Sequence, residues 1–233
     1  MQNVAQPISA VLLDALGTLL TFEPPAPHLR AALRELGIEV SEEAAAAAIR
    51  AEIAYYRAHL HEGRDAASLA NMRRRAAETM RPALGVELDG EALTGALLAS
   101  LRFRAYPDAA PALRELRSRG ARLVVVSNWD VSLHQRLAET GLAPLVDGAV
   151  ASAELGHAKP DRAIFEHALA IAGAAPEAAL HAGDSLEADV QGARAAGMRA
   201  VLVARDGAPG APPDVPVVRS LAELPALVPI PLT

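Results

Sequence analysis

Short apolar runs alternate along the chain with longer stretches in which apolar residues recur every three or four positions. The runs at 10–14 (AVLLD), 122–127 (RLVVVS), 179–184 (ALHAGD) and 200–203 (AVLV) are too short for helices and apolar almost throughout, which predicts strands covered on both faces. Helical spacing falls between them, at 109–118, 132–140, 163–172 and 187–196. Strands alternating with helices of this length predict right-handed βαβ units, and so an α/β fold with a doubly wound parallel sheet. Ligands of such sheets bind beyond the carboxyl ends of the strands. Asp14, Ser127, Asn128 and Asp184 stand at those ends.

From residue 19 onward the rhythm changes. The segment is rich in Ala, Arg, Glu and Leu, lacks a buried-strand run, and carries helical spacing at 28–35, 42–59, 66–80 and 90–100. This predicts an all-helical cap over 19–103, inserted into an α/β core made of 1–18 and 104–233. Pro24-Pro25 and Tyr106-Pro107 punctuate the two joints, where a hinge is expected. Residues 205–216, rich in Gly and Pro, read as a surface loop, followed by a short strand at 217–218 and a helix at 221–227.

Composition narrows the partners. The chain has 233 residues, 52% of them hydrophobic, enough for a full core. Its 28 acids and 22 bases are interspersed, and the single basic run, Arg73-Arg74-Arg75, lies on a predicted helix, so nucleic acid is not an expected partner. The first residues have no basic signal-like segment and no apolar run approaches ~20 residues, so no membrane is expected, and the expected compartment is the cytoplasm. A monomer or homodimer is expected. The absence of Cys removes disulfides, thiolate nucleophiles and Cys-ligated metals. One residue stands out among the bases: 21 are Arg and one is Lys, Lys159. An ammonium reaches a single oxygen in a narrow space where a planar guanidinium does not fit, which marks Lys159 for chemistry.

The segments DALGT (14–18), VVVSN (124–128), the lysine of HAKPD (157–161) and GDSLEAD (183–189) resemble, in order and spacing, the four motifs of the haloacid dehalogenase-like hydrolase superfamily. The helical insertion looks like that superfamily's small helical cap. HAGDSLEADVQGARAAGM (181–198) is similar to its "haloacid dehalogenase-like hydrolase domain-containing" branch. The resemblance spans essentially the whole chain and implies an Mg²⁺-dependent hydrolase, a phosphatase acting on a small phosphorylated metabolite through an aspartyl-phosphate. It implies Asp14 as nucleophile, with Lys159 and Ser127 also catalytic, and Gly17, Thr18 and Asn128 binding the phosphate. It implies Asp14, the backbone carbonyl of Leu16 and Asp184 as metal ligands, with Asp189 behind them or in occasional contact. The chemistry is coherent, because a carboxylate is a modest nucleophile that needs a charge-neutralised phosphate, and Mg²⁺ takes hard oxygen ligands. Structural readings stay open beside these: Thr18 as a turn cap, Ser127-Asn128 as an ordinary strand-end turn, Asp189 as an acid favoured by a helix dipole, and His181 as a hydrogen-bonded core histidine.

Leu16 departs from the pattern. Phosphatases of the superfamily usually carry a second acid two residues after the nucleophile, and leucine transfers no proton. Three outcomes compete: a phosphatase whose leaving group needs no protonation or whose proton relay lies elsewhere, a 2-haloacid dehalogenase-type hydrolase, and a phosphate-ligand-binding protein with little or no turnover. Dehalogenases of the superfamily typically lose the acidic pair of the last motif, which this chain keeps as Asp184 and Asp189. The phosphonate-hydrolase route through a cap lysine is closed, since 19–103 holds no lysine.

Overall fold

The four apolar runs become neighbouring strands of one sheet. A computed structural model describes residues 7–207 and 211–228. In chain order it contains β1 (Ala10–Leu13), β2 (Leu20–Phe22), α1 (Pro25–Glu35), α2 (Glu42–His59), α3 (Ala66–Glu78), α4 (Arg81–Leu84), α5 (Gly90–Ser100), β3 (Phe103–Ala105), α6 (Ala109–Ser118), β4 (Arg122–Ser127) and α7 (Leu133–Glu139). There follow β5 (Gly148–Ala151), α8 (Ser152–Leu155), α9 (Arg162–Ala172), β6 (Ala179–Gly183), α10 (Gly192–Ala195), β7 (Arg199–Val203) and β8 (Val217–Val218). The main sheet runs β5-β4-β1-β6-β7-β8 with every pairing parallel, the doubly wound α/β arrangement. Strand order reverses at β1, which lies between β4 and β6. Leu13 is level with Val125 and with Ala182, so the residues that end these three strands emerge along one edge, at the switch point where such sheets bind ligands.

Local chemistry explains the elements. β1 and β6 are buried along their whole length, as is β4 after Arg122, which is why they read as unbroken apolar runs. One face is covered by α9, whose Ile164, Phe165, Ala168 and Leu169 pack with Leu12, Val124 and Val126. That helix starts where the Asp161 carboxylate accepts the Ala163 N–H, and it stops at Gly173, left-handed at φ +64°. Among the described residues no helix is long and apolar enough to cross a membrane.

By its internal contacts the chain divides into two compact units: one comprises the residues through Thr21, Ala105–Asn128 and the chain from Ser132, the other Phe22–Arg104 with Trp129–Val131. The second unit is helical, its core formed by Leu29, Leu33, Ile49, Met80, Leu93 and Leu97 from α1, α2, α5 and the turn before α4. Ser41 caps α2, and Asp65 with Ser68 forms a capping box on α3. Trp129–Val131, which the strand-and-helix rhythm assigns to the α/β core, packs instead in the helical unit. Tyr56 donates to Asp130 at 2.9 Å, Val131 N–H to the Gly63 carbonyl at 2.9 Å, and Trp129 lies against Phe103 with ring centroids 5.2 Å apart.

Several elements differ from the sequence expectation. β2 and β3 pair as a two-stranded ribbon within and just beyond the segment expected to be wholly helical. β5 and the short helices α4 and α8 carried no readable signal. The helix expected over 187–196 opens as a π-helical turn, Leu186–Gln191, before α10, and the helix expected over 221–227 is 3₁₀. Residues 1–6, 208–210 and 229–233 lie outside the described residues, so the expected ends of the core and part of the 205–216 loop do too.

Glu52 is buried on α2, and burial pushes its carboxyl up to about 7. The folded protein therefore holds a proton that the unfolded chain releases near 4.5. Stability contributed by the protonated carboxyl is present in full below pH 4.5 and is lost as pH rises through about 7. Glu52→Gln is expected to abolish that decline, leaving the variant more stable than wild type above pH 7 by up to about 3 kcal/mol, read by urea denaturation across pH. Parallel pH profiles for the two proteins would contradict the assignment.

Candidate active site

Five segments of the α/β unit meet at the carboxyl edge of β1. Asp14 follows β1, and its backbone N–H donates to the Ala182 carbonyl of β6 at 2.9 Å. Ser127, the last residue of β4, donates its hydroxyl to Asp14 Oδ1 at 3.0 Å. Lys159 donates from Nζ to Asp14 Oδ1 at 2.6 Å and to Asp189 Oδ1 at 2.5 Å, with its side chain only 2% exposed. One ammonium thus joins two carboxylates from opposite ends of the sequence. Asp14 Oδ2 takes no hydrogen bond among the described residues.

Each partner is itself held. Asn128 donates its side-chain amide to the Lys159 carbonyl at 2.9 Å and accepts the Lys159 N–H at 2.7 Å, a reciprocal clamp on the lysine backbone. The side chain of Asn128 is thereby committed to the Lys159 backbone. Asp189 Oδ1 also accepts from His181 Nε2 at 2.8 Å, and its Oδ2 accepts the Ser185 N–H at 3.0 Å. His181 is wholly buried on β6 and meets the Phe165 ring edge-on at 5.2 Å. It is the hydrogen-bonded core histidine of the sequence reading, and Asp189 is its partner.

Charge governs the environment. Burial pushes the Asp14 carboxyl above its ordinary value, with Asp189 adding to the shift and Lys159 opposing it. For Lys159 burial works against the charge, but Asp14 and Asp189 outweigh it and hold the ammonium above its ordinary value. Burial likewise opposes the Asp189 charge, and Lys159 and His181 override it, keeping that carboxylate well below the usual range. Asp184 retains solvent access, yet partial burial and then the neighbouring Asp14 and Asp189 push it up to about 6.

Two glycines make the crowding possible. Gly17 sits at φ +85°, and a Cβ there would lie 2.1 Å from Asp184 Oδ2; a Cβ on Gly183 would lie 2.2 Å from Asp189 Cγ. Thr18 is fully buried, and its Oγ1 has no hydrogen-bond partner among the described residues. Leu16 is 43% exposed, a large apolar side chain turned to solvent two positions from Asp14. Asp14, Asp184 and Asp189 each bring one carboxylate oxygen within 4.8 Å of the others. Three carboxylates facing a single ammonium leave an excess of negative charge, and their hard oxygens suit a divalent cation such as Mg²⁺.

A parallel sheet whose switch point carries an Asp, a Ser, a Lys and an acidic pair defines a class of α/β hydrolase. A family model described as haloacid dehalogenase-like hydrolase matches residues 8–197, and the chain belongs to that family. Phosphoserine phosphatase from Thermus thermophilus is 40% identical over 119 residues, 51% of this chain and 48% of that protein. Haloacid dehalogenase-like hydrolase domain-containing protein 3 from Homo sapiens is 45% identical over 91 residues, 39% of this chain and 36% of that protein. The matched regions thus span less than half the length of these curated relatives. Among solved structures, L-2-haloacid dehalogenase from Xanthobacter autotrophicus superposes with a TM-score of 0.68 at 26% identity, covering 95% of this chain and 98% of that one.

Removing the ammonium while keeping the carboxylates tests the electrostatics. Lys159→Met leaves buried carboxylates without their cation and is expected to cost ~3–5 kcal/mol of stability in urea denaturation with chelator present. A loss below ~1 kcal/mol would show that Lys159 is not the counter-ion the geometry makes it.

Proposed function

We propose that the chain is an Mg²⁺-dependent phosphatase that transfers the phosphoryl group of a small phosphorylated metabolite to Asp14 and then to water. The observation that carries this reading is the asymmetry of the Asp14 carboxylate: Oδ1 is fixed by Ser127 and Lys159, and Oδ2 is left for phosphorus. Oδ2 attacks phosphorus, the bond to the leaving oxygen breaks with its electron pair going to the leaving group, and an aspartyl-phosphate forms. Water then attacks the same phosphorus and regenerates the carboxylate. Ser127 and Lys159 donate toward the transferring group as charge builds on it, and Gly17 and Thr18 shape the turn that lets backbone amides face the phosphate.

Asp14, Asp184 and the Leu16 carbonyl would hold Mg²⁺, whose bound charge neutralises the phosphate oxygens against the approaching carboxylate. Asp189 already accepts from Lys159, His181 and Ser185, which suits a role behind the ligands. Leu16 sets the leaving group. General acid catalysis is worth ~10²–10⁴-fold, so its loss favours acyl or aryl phosphates over alkyl esters unless a proton arrives from another group. The phosphatase among the curated relatives supports phosphate as the target.

One observation favours a second reading. Leu16 together with the dehalogenase among the structural relatives suits displacement of halide from carbon by the same Asp14. The retained acidic pair, Asp184 and Asp189, weighs against it. A third role, binding a phosphorylated ligand without turnover, predicts tight binding and no product.

Turnover of p-nitrophenyl phosphate and acetyl phosphate is expected to require Mg²⁺ and to be lost in Asp14→Asn; activity independent of either overturns the mechanism. Chloride release from 2-chloropropionate would decide for the second reading. Leu16→Asp is expected to raise alkyl phosphate turnover, by up to ~10²-fold if the missing acid limits the rate. No rise would mean that a proton already reaches the leaving oxygen by another path.

A further inference from the structure

Arg205 follows β7, at the start of a stretch that composition marks as a surface loop, yet its side chain is only 16% exposed. All three of its nitrogens are engaged. Nε donates to the Gly17 carbonyl at 3.3 Å, Nη2 to the Thr18 carbonyl at 2.7 Å, and Nη1 and Nη2 grip the two oxygens of Asp108 at 3.0 and 3.1 Å. The guanidinium carbon lies 3.5 Å from the centroid of the Tyr106 ring, a cation–π stack that covers one face of the group. Asp108 is fixed in turn: its Oδ2 accepts from the Ser220 hydroxyl at 2.7 Å and from the Leu221 N–H at 2.9 Å.

We propose that Arg205 is a positioning residue for the Asp14 loop, acting on Gly17 and Thr18 through their carbonyls. A carbonyl held in place fixes its whole peptide plane, so Arg205 sets the planes on both sides of Thr18. The Gly17 turn, whose Cα is pressed against the Asp184 carboxylate, is thereby locked, and both carbonyl oxygens stay with the guanidinium. A carbonyl swung towards an anionic substrate would repel it, and a shifted turn would carry the Leu16 carbonyl with it. The joint where the chain returns to the α/β unit is tied to the same point, because Tyr106 N–H donates to the Leu19 carbonyl at 3.0 Å while its ring stacks on Arg205. A lysine cannot serve here: one ammonium does not span two carbonyls and a carboxylate while stacking on a ring.

The catalytic consequence rests on the phosphatase reading; the structural consequence does not. The experiment compares full-length wild type, Arg205→Lys and Arg205→Gly by hydrogen exchange of residues 15–20 and by Mg²⁺-dependent p-nitrophenyl phosphate turnover. Exchange in 15–20 is expected to rise about tenfold or more in both variants while the β1, β4 and β6 amides stay protected. The value of kcat is expected to fall by roughly 10–10²-fold with a much smaller change in KM, and millimolar guanidinium is expected to restore part of the Arg205→Gly loss while leaving Arg205→Lys unrescued. Unchanged exchange in 15–20, or exchange that rises uniformly across the unit, overturns the proposal, as does full kcat in Arg205→Lys. A wild type without turnover sinks the phosphatase reading alone, and the exchange arm then decides for or against Arg205.

Discussion

One ammonium shared by two buried carboxylates holds this site together. Lys159 lies between Asp14 and Asp189 with almost no access to water, and each of the three groups would be costly to bury by itself. Their mutual attraction offsets the lost hydration because the geometry is tight and neighbouring groups hold each partner in place. Asn128 pins the lysine backbone, His181 and Ser185 pin Asp189, and Ser127 pins Asp14. Remove one support and a charge is stranded in a low-dielectric pocket. A guanidinium in place of Lys159 would need acceptors for a planar fork where the pocket presents two converging oxygens.

The fold exists to bring these groups to one point. Asp14, Ser127 and His181 come from three adjacent parallel strands, and a one-residue slip of any of them would turn the side chain to the opposite face of the sheet. Gly17 and Gly183 let backbone approach carboxylate more closely than any side chain would allow. Asp189 sits in a π-helical turn, a geometry that recurs at functional sites. The excess of acids over bases in the pocket disfavours the bare site and favours a divalent cation, so stability and chemistry draw on the same charges.

Much of this was legible in the chain. Buried parallel strands announce themselves as apolar runs, and β1, β4, β6 and β7 were read within a residue or so of their ends. The polar residues closing them pointed to the site edge, and the solitary lysine marked its centre. What was missed has physical reasons. β5, GAVA, is built from small residues with one β-branched side chain, and Gly148 is there because a Cβ would meet Ile171 at 2.7 Å, a constraint invisible in one dimension. Arg205 was hidden by its Gly- and Pro-rich surroundings, since composition reports the average of a segment and one side chain can leave it. The roles of Asn128 and Trp129–Val131 depend on partners about 30 to 75 positions away, which no local pattern encodes.

Under the proposed phosphatase reading, Leu16 is the residue that most shapes the chemistry, because it places on the substrate, or on another proton donor, a task usually given to an acid at that position. The proposal of Asp14 as nucleophile does not depend on that question. Acid-quenching the enzyme during turnover of ³²P-labelled acetyl phosphate and mapping the peptides tests the Asp14 assignment itself. Label that is labile to hydroxylamine, resides on Asp14 and disappears in Asp14→Asn is the predicted result. Turnover without label on that residue, or label carried by another side chain, would contradict it.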